Sequence, residues 1–250
     1  MKIITIIPAR MNSSRFYGKP LKKINGIPMI QRVYDNVKNC NKIESTYVAT
    51  CDKEIYNFIK SINGNVIMTS KKHKRATERT SEALSKIEKK NKKKYDIVVM
   101  VQGDEPMITA SMINQSISPF MKHKDIKVVN LMTKIKNLKE FEDLNEPKVV
   151  FDQFNNALYF SRSPIPSPWL KFQKNIYKQV CAIPFERSFL LKFNKMKPTL
   201  LEETESIDMN RILESGIKIK MVEIKKYVKS VDNIADLKEV EKMLYLNKKK

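Results

Sequence analysis

Two runs of the chain are almost wholly apolar. Ile3-Ile4-Thr5-Ile6-Ile7 and Ile97-Val98-Val99-Met100-Val101 are rich in β-branched residues, the pattern of strands buried on both faces of a parallel sheet. Residues 46–50 and 66–69 read as two further strands. Between these runs the apolar positions recur every three or four residues. That period predicts a helix opened by Pro28 and burying Met29, Ile30, Val33 and Val37, then one over 54–62 with Ile55, Phe58, Ile59 and Ile62 inward. Helices over 80–89 (Ala83, Leu84, Ile87) and 111–121 (Met112, Ile113, Ile117, Phe120) follow. Strands alternating with helices predict an α/β fold, a Rossmann-like doubly wound and mostly parallel sheet.

Beyond residue 124 the pattern changes. Strands dominate over 127–134, 148–151, 157–161 and 178–185, followed by a helix over 203–215 stopped by Gly216. A strand over 218–223 and a helix over 234–245 close the chain. No internal repeat or low-complexity linker intervenes, and 250 residues suffice for one sizeable core. The expectation is a single domain, 1–250, softly divided into 1–124 and a smaller strand-rich part, 125–250.

Composition excludes some functions. No run approaches the roughly 20 apolar residues of a membrane span, so no membrane partner is expected. Residues 1–8 are apolar but too short for a secretory leader, and no small-residue cleavage site follows. Cys40, Cys51 and Cys181 are odd in number and widely spaced, which fits the reduced thiols of a cytoplasmic protein rather than a disulfide frame or zinc site. Two histidines are too few for a His-based metal site; His123, between Lys122 and Lys124, reads as surface, and His73 as surface or pocket lining. The net charge of +21 suggests nucleic acid at first sight. The lysines, however, are spread through every segment, with local runs at 71–75, 89–94 and 248–250, and the 8% of aromatic residues do not interleave with those runs. No nucleic-acid partner is therefore expected; the charge is suited to steering anionic substrates.

The chemistry lies where the two long strands end. The first breaks at Pro8 into a loop carrying Arg10, Ser13, Arg15, Gly18 and Lys19. Open α/β sheets bind ligands at the carboxyl ends of their strands, and backbone N–H groups beside small residues can approach phosphate oxygens while the cations balance charge. This is a polyphosphate cradle without the Gly-x-x-x-x-Gly-Lys-Ser/Thr or Gly-x-Gly-x-x-Gly fingerprint; the plainer alternative is a solvated basic loop. The second strand runs into Gln102-Gly103-Asp104-Glu105-Pro106. A carboxylate facing phosphates there can hold Mg²⁺ through hard oxygen ligands, with Asp104 as the candidate and Gln102 and Glu105 as neighbours for sugar hydroxyls or water. The alternative is a turn in which Asp104 bonds local amides. Only five glycines occur, yet Gly18 and Gly103 sit in these two loops, which argues for close backbone approach or an unusual φ.

Pro8-Ala9-Arg10, residues 13–15, Gly18-Lys19-Pro20-Leu21 and Gln102 to Pro106 resemble the CMP-sugar synthetases, and more closely their 3-deoxy-manno-octulosonate (Kdo) cytidylyltransferases than the acylneuraminate branch. Val48-Ala49-Thr50 with Asp52, Val66 to Ser70, His73, Thr77-Glu78-Arg79, Pro147-Lys148-Val149-Val150, Ala157 to Arg162, Pro164-Ile165-Pro166 and Val231-Asp232 with Asp236-Leu237 extend the likeness in order along the chain. The resemblance implies attack of a sugar's anomeric hydroxyl on the α-phosphorus of CTP, with Mg²⁺ as cofactor between Asp104 and Asp232. It assigns the triphosphate to Arg10, Arg15 and Lys19, loop contacts to Ala9, Ser13 and Gly18, and the nucleotide to Arg79. Gln102 and Arg162 would face the sugar acid, and Asp208 belongs to the same binding set. A homodimer formed through the smaller part is also implied. For Arg162 a structural salt bridge, and for Asp232 a place in the cap of the last helix, are the alternatives.

The chain departs from the family at several points. Gln179-Val180-Cys181-Ala182-Ile183 stands where Kdo enzymes carry His-x-Gly-x-Tyr, and Ile207-Asp208-Met209-Asn210-Arg211 where they carry Leu-Glu-Gln-Leu-Arg. Arg75-Ala76 replaces Ser-Gly before Thr77, and Phe16-Tyr17 replaces Leu-Pro. The expectation is therefore a cytidylyltransferase for a Kdo-like sugar. An 8-amino or nine-carbon ulosonic acid, another nucleotide, a non-catalytic nucleotide binder, and a nucleic-acid binder suggested by charge alone remain as alternatives.

Overall fold

The structure, a computed structural model, describes residues 1–12, 16–169 and 175–246. The chain separates into two compact units, Met1–Asn114 with Val228–Lys250, and Gln115–Tyr227. The closing segment thus returns to the first unit, where the sequence pattern placed it with the second part.

The first unit is the alternating one. β1(Ile3–Ala9) leads through a 3-10 turn, Lys19–Leu21, into a hairpin of β2(Lys23–Ile24) and β3(Ile27–Pro28). Then come α1(Met29–Lys38), β4(Ser45–Thr50), α2(Lys53–Ser61), β5(Val66–Met68), α3(Ala76–Asn91) and β6(Ile97–Val101). α4(Ala110–Lys122) runs across the division. Four of this unit's strands are parallel, in the order β6-β1-β4-β5. Every residue of β1 and β6 is buried, as their unbroken apolar sequences require. The chain builds outward from β1 to β4 and β5, then returns to add β6 on β1's other side. This reversal makes the β1/β6 crevice the switch point at which open sheets bind ligands.

The second unit holds β7(Val129–Lys134), α5(Leu138–Glu142), β8(Lys148–Phe151), β9(Ala157–Ser161), β10(Tyr177–Val180), β11(Ala182–Glu186), α6(Arg187–Phe193), α7(Leu200–Glu205), α8(Met209–Glu214) and β12(Lys220–Glu223). Its sheet runs β12-β7-β10-β8-β9, antiparallel except for β12 on β7. The strand expected over 178–185 is two strands broken at Cys181. The helix expected over 203–215 is likewise two. Ser206 turns left-handed at φ 54, and Glu202 and Arg211 pair across the break, Nη2 to Oε1 at 2.5 Å and Nε to Oε2 at 2.6 Å. Tertiary pairing outweighs local helix propensity there.

Two fully buried lysines face each other across this sheet: Lys148 on β8 and Lys178 on β10 are register partners. Like charges opposite one another are unfavourable, and the chain resolves the pair asymmetrically. Lys178 Nζ meets Glu140 at 2.6 Å and Glu146 at 3.0 Å. Lys148 Nζ donates to the carbonyls of Asp143 (2.9 Å) and Arg162, with no carboxylate in contact among the described residues. Burial pushes its pKa down from 10.5 to about 8, against the pull of Asp143 and Glu146. Between these two pKa values the unfolded chain holds a proton that the folded one has released, so folding stability rises with pH through that window. Lys148→Met removes the titration. The stability of the wild type relative to this variant is expected to rise by on the order of 3 kcal/mol from pH 7 to pH 10. Denaturant melts at both pH values measure it, and a constant difference would contradict the assignment.

Candidate active site

Three charged side chains meet at the switch point. Lys19, in the 3-10 turn after β1, places Nζ 2.7 Å from Asp104 Oδ2 and 3.4 Å from Asp232 Oδ1. Asp104 stands in the turn after β6, and Asp232 enters just before α9(Ile234–Leu246). All three are largely removed from water, with side-chain exposures of 11%, 20% and 15%. Burial pulls the Lys19 pKa down, but Asp104 and then Asp232 outweigh it and hold the ammonium above its ordinary value. The lysine is a fixed cation between two carboxylates.

Both glycines flagged by their scarcity have local reasons. Gly18 turns left-handed at φ 70 to open the Lys19 turn, and its N–H donates to the Met11 carbonyl at 2.9 Å. Gly103 permits close approach: a Cβ there would lie 3.1 Å from Ile30 Cδ1 and 3.3 Å from the Pro8 carbonyl. A side chain at Gly103 would crowd the end of β1 and the first turn of α1. Ala9 is the buried last residue of β1, and Arg10, next to it, is exposed with no carboxylate partner among the described residues. Ser13 and Arg15 lie outside the described residues. Gln102 directly follows β6, its carbonyl accepting from the Glu105 N–H at 3.2 Å.

Asp232 lies in a segment, residues 228–233, that forms no strand. The Val231 N–H instead donates to the Asp104 carbonyl at 3.0 Å, tying the two acidic loops together. Nor does Asp232 cap the last helix. Asn233 Oδ1 accepts the Asp236 N–H at 3.0 Å, and Asp236 Oδ2 accepts the N–H groups of Asp232 (3.0 Å) and Asn233 (3.2 Å). This reciprocal box satisfies the helix end and leaves the Asp232 carboxylate directed at Lys19.

The other flank of the sheet is braced by a set of polar contacts around Asp52, Arg79 and Glu82. Asp52, after β4, accepts the Met11 N–H at 2.8 Å and so anchors the loop after β1. Arg79 on α3, expected at the nucleotide, donates to Thr69 Oγ1 at 2.5 Å and to the Ser70 carbonyl at 3.2 Å. Glu82 accepts the Ser70 N–H at 2.8 Å and contacts His73 Nε2. Burial opposes its charge, but Lys86, the Ser70 amide and His73 hold its pKa down at about 2. Glu78 takes the N–H groups of Lys74 (2.8 Å) and Arg75 (3.0 Å). The loop over 70–75, containing the Arg75-Ala76 departure, is thereby clasped to α3. The local signal for these roles was only an acid at a strand end or in a first helical turn.

Arg162 and Asp208 belong to the second unit. The Arg162 guanidinium is held by carbonyls, Nε to Glu205 at 2.7 Å and Nη1 to Leu144 at 2.9 Å, rather than by the salt bridge considered for it. Its N–H donates to Glu205 Oε2 at 2.8 Å, where Ser161 Oγ and Tyr159 OH also converge on Oε1. Asp208 is the residue at the start of α8. Gln179, at the departure from the family pattern, is 9% exposed and donates to Asn130 Oδ1 at 2.6 Å.

The chemistry this site permits is electrostatic. No nucleophile is needed where one cation and two hard carboxylates stand ready around a polyphosphate. Among the described residues no group of three or more His, Cys, Asp or Glu is placed to hold a metal unaided. A divalent ion on Asp104 and Asp232 would complete its shell with substrate oxygens, and that fits Mg²⁺, which binds through one or two carboxylates plus phosphates. The ammonium already marks where these carboxylates gather positive charge.

Comparison with known proteins agrees with this geometry. The profile of the cytidylyltransferase family matches residues 4–219. A 3-deoxy-manno-octulosonate cytidylyltransferase of Fusobacterium nucleatum is 41% identical over 96% of this chain and 96% of its own length. The enzyme of the same description from Geobacter metallireducens is 40% identical over 97% and 98%. A solved CMP:2-keto-3-deoxy-manno-octonic acid synthetase complexed with CTP superposes with a TM-score of 0.88 at 31% identity, covering 99% of this chain and 100% of that one. The likeness extends over nearly the whole chain and takes in Lys19, Asp104 and the fold that joins them: the chain belongs to the cytidylyltransferase family, alongside the 3-deoxy-manno-octulosonate enzymes.

Proposed function

We propose that the protein activates Kdo with CTP, forming CMP-Kdo and pyrophosphate. The observation that carries this reading is the Lys19 ammonium set between Asp104 and Asp232 at the β1/β6 switch point, in a chain so similar to Kdo cytidylyltransferases along its length. The anomeric oxygen of the sugar forms a bond to the α-phosphorus, and the bond from that phosphorus to the bridging oxygen breaks. Pyrophosphate leaves with the electron pair, and the hydroxyl proton passes to solvent. Positioning and charge stabilisation lower this barrier. Lys19 supplies a point charge to the triphosphate, and Arg10 and Arg15 add to it. Asp104 and Asp232 would hold Mg²⁺, whose charge neutralises phosphate oxygens and orients the leaving group. Arg79 braces the strand end beneath the nucleotide. Gln102, at the end of the same switch point, serves the sugar acid.

The buried Gln179–Asn130 amide pair favours one second reading, a related ulosonic acid with an 8-amino group or nine carbons, because a changed polar contact alters which sugar is accepted. No described helix is long and apolar enough to cross a membrane. The thiols of Cys40 and Cys51 support a reducing, cytoplasmic setting. Exposed apolar side chains of the second unit, Trp169 at 89%, Phe154 at 65% and Leu158 at 61%, support self-association as a homodimer.

The deciding experiment measures pyrophosphate release with Mg²⁺, each of the four nucleoside triphosphates, and Kdo, 8-amino-Kdo or a nine-carbon ulosonate, alongside light scattering of the same protein. Release with CTP and Kdo by a dimer is expected. Release only with another sugar moves the substrate and keeps the chemistry. Silence across the panel, with no CTP binding, would overturn the reading.

A further inference from the structure

Asp236 lies outside the charged trio, yet it governs the main chain that delivers one member of it. Its Oδ2 accepts the N–H of Asp232 itself at 3.0 Å and that of Asn233 at 3.2 Å. Its Oδ1 is held by Lys229 Nζ at 3.3 Å, with Glu239 3.6 Å from the same ammonium. Asp236 is 9% exposed and Lys229 is 7% exposed, so the pair is not a solvated surface contact. On the other side, the Val231 N–H is fixed to the Asp104 carbonyl. The two successive amides, of Val231 and Asp232, are therefore tied to the second acidic loop and to Asp236. Between these ties the Asp232 side chain has little freedom but to face Lys19.

We propose that Asp236 is a positioning residue for nucleotidyl transfer: braced by Lys229, it fixes the backbone of Asp232 so that this carboxylate meets the divalent cation of the nucleotide complex. The inference rests on the proposed function, in which Asp232 is one of two protein carboxylates on that ion. A helix cap alone would need only some acceptor for its first amides. Here the acceptor is a buried ionised group with its own buried counter-ion, and one of its two donors is the amide of the working residue. Partners of this kind around metal ligands typically change metal affinity or activity 10- to 100-fold when removed.

The test uses the full-length protein with a non-hydrolysable CTP analogue and Mn²⁺ as the probe, bound metal being read from loss of the free Mn²⁺ resonance. Asp236→Ala is expected to weaken Mn²⁺ in that complex about tenfold, and to raise the Mg²⁺ concentration for half-maximal turnover in parallel. The KM for CTP at saturating Mg²⁺ should change much less. Asp236→Asn keeps a side-chain oxygen for the Asp232 amide and is expected to recover most of the loss. Lys229→Met leaves the acceptor in place and removes only its brace, so a smaller shift in the same direction is expected. These two variants also stand in if Asp236→Ala folds poorly. Asp236→Ala that melts earlier but binds Mn²⁺ as the wild type does would overturn the positioning role and leave Asp236 a plain helix cap. Asp232→Asn run beside it separates the two ideas. If it leaves Mn²⁺ binding unchanged, the metal assignment fails and this proposal with it; if it weakens binding while Asp236→Ala does not, only the positioning role fails.

Discussion

Asp104→Asn is expected to lower kcat for pyrophosphate release about a thousandfold, roughly 4 kcal/mol of barrier, while leaving the fold intact. The amide has the same shape and still presents an oxygen to Lys19, so packing in the turn after β6 is preserved. What disappears is a full negative charge 2.7 Å from the ammonium and, with it, one anionic oxygen donor for a hard cation. Asp104 is the closer carboxylate to Lys19, and its carbonyl anchors Val231, so it joins all three parts of the site. That backbone link survives the substitution. The loss should therefore fall on turnover and on the Mg²⁺ requirement, with little change in melting temperature. Steady-state kinetics at saturating Mg²⁺ and CTP check it; a variant within tenfold of the wild type would remove Asp104 from the reaction.

The parts of the fold and site that were legible share one property: they are written in contiguous residues. β1 and β6 are buried on both faces, so their sequences are unbroken apolar runs, and the polar loops after them follow without a gap. Lys19 and Asp104 announced themselves as charges at the ends of such strands, beside two of five glycines. Their meeting was not legible from spacing, because it joins positions 85 apart, and Lys19 to Asp232 joins positions 213 apart. Those pairings came from resemblance to a family.

Where sequence reasoning failed, distant contacts had overridden local preference. Ser206 breaks a helix whose apolar period runs on, because Glu205 is drawn to Tyr159, Ser161 and Arg162 while Glu202 locks onto Arg211. Asn25-Gly26 carried a hairpin signal that went unread; both residues are left-handed, at φ 48 and 78, and the Asn25 N–H reaches Glu241 Oε1 at 2.6 Å. The return of residues 228–246 to the first unit has no local signature at all. It follows from the need to bring Asp232 to the Lys19 turn.

Lys19→Met is expected to move two measurements in opposite directions. Turnover should fall by at least about a hundredfold, the usual scale for removing one preorganised charge from a site where negative charge develops. Affinity of the nucleotide-free protein for Mn²⁺ should rise. In the wild type, an ammonium held between Asp104 and Asp232 already offsets one of their two charges, and the ion pairs lie mostly out of water. A divalent ion arriving alone must displace that ammonium and find its remaining ligands in solvent, since no third protein carboxylate joins the described site. A nucleotide changes both terms: its phosphates add oxygen ligands and give the displaced ammonium a new anion. Methionine keeps the length and apolar packing of the lysine stem but leaves the two carboxylates facing each other unbalanced. They should then take up the metal more tightly and catalyse worse. A loss of both turnover and Mn²⁺ binding would mean that Lys19 shapes the site mechanically, and unchanged Mn²⁺ binding would mean that the ammonium and the metal do not share these carboxylates. Tighter metal with slower chemistry is the result that makes Lys19 both the internal counter-ion of the resting site and the cation that turnover uses.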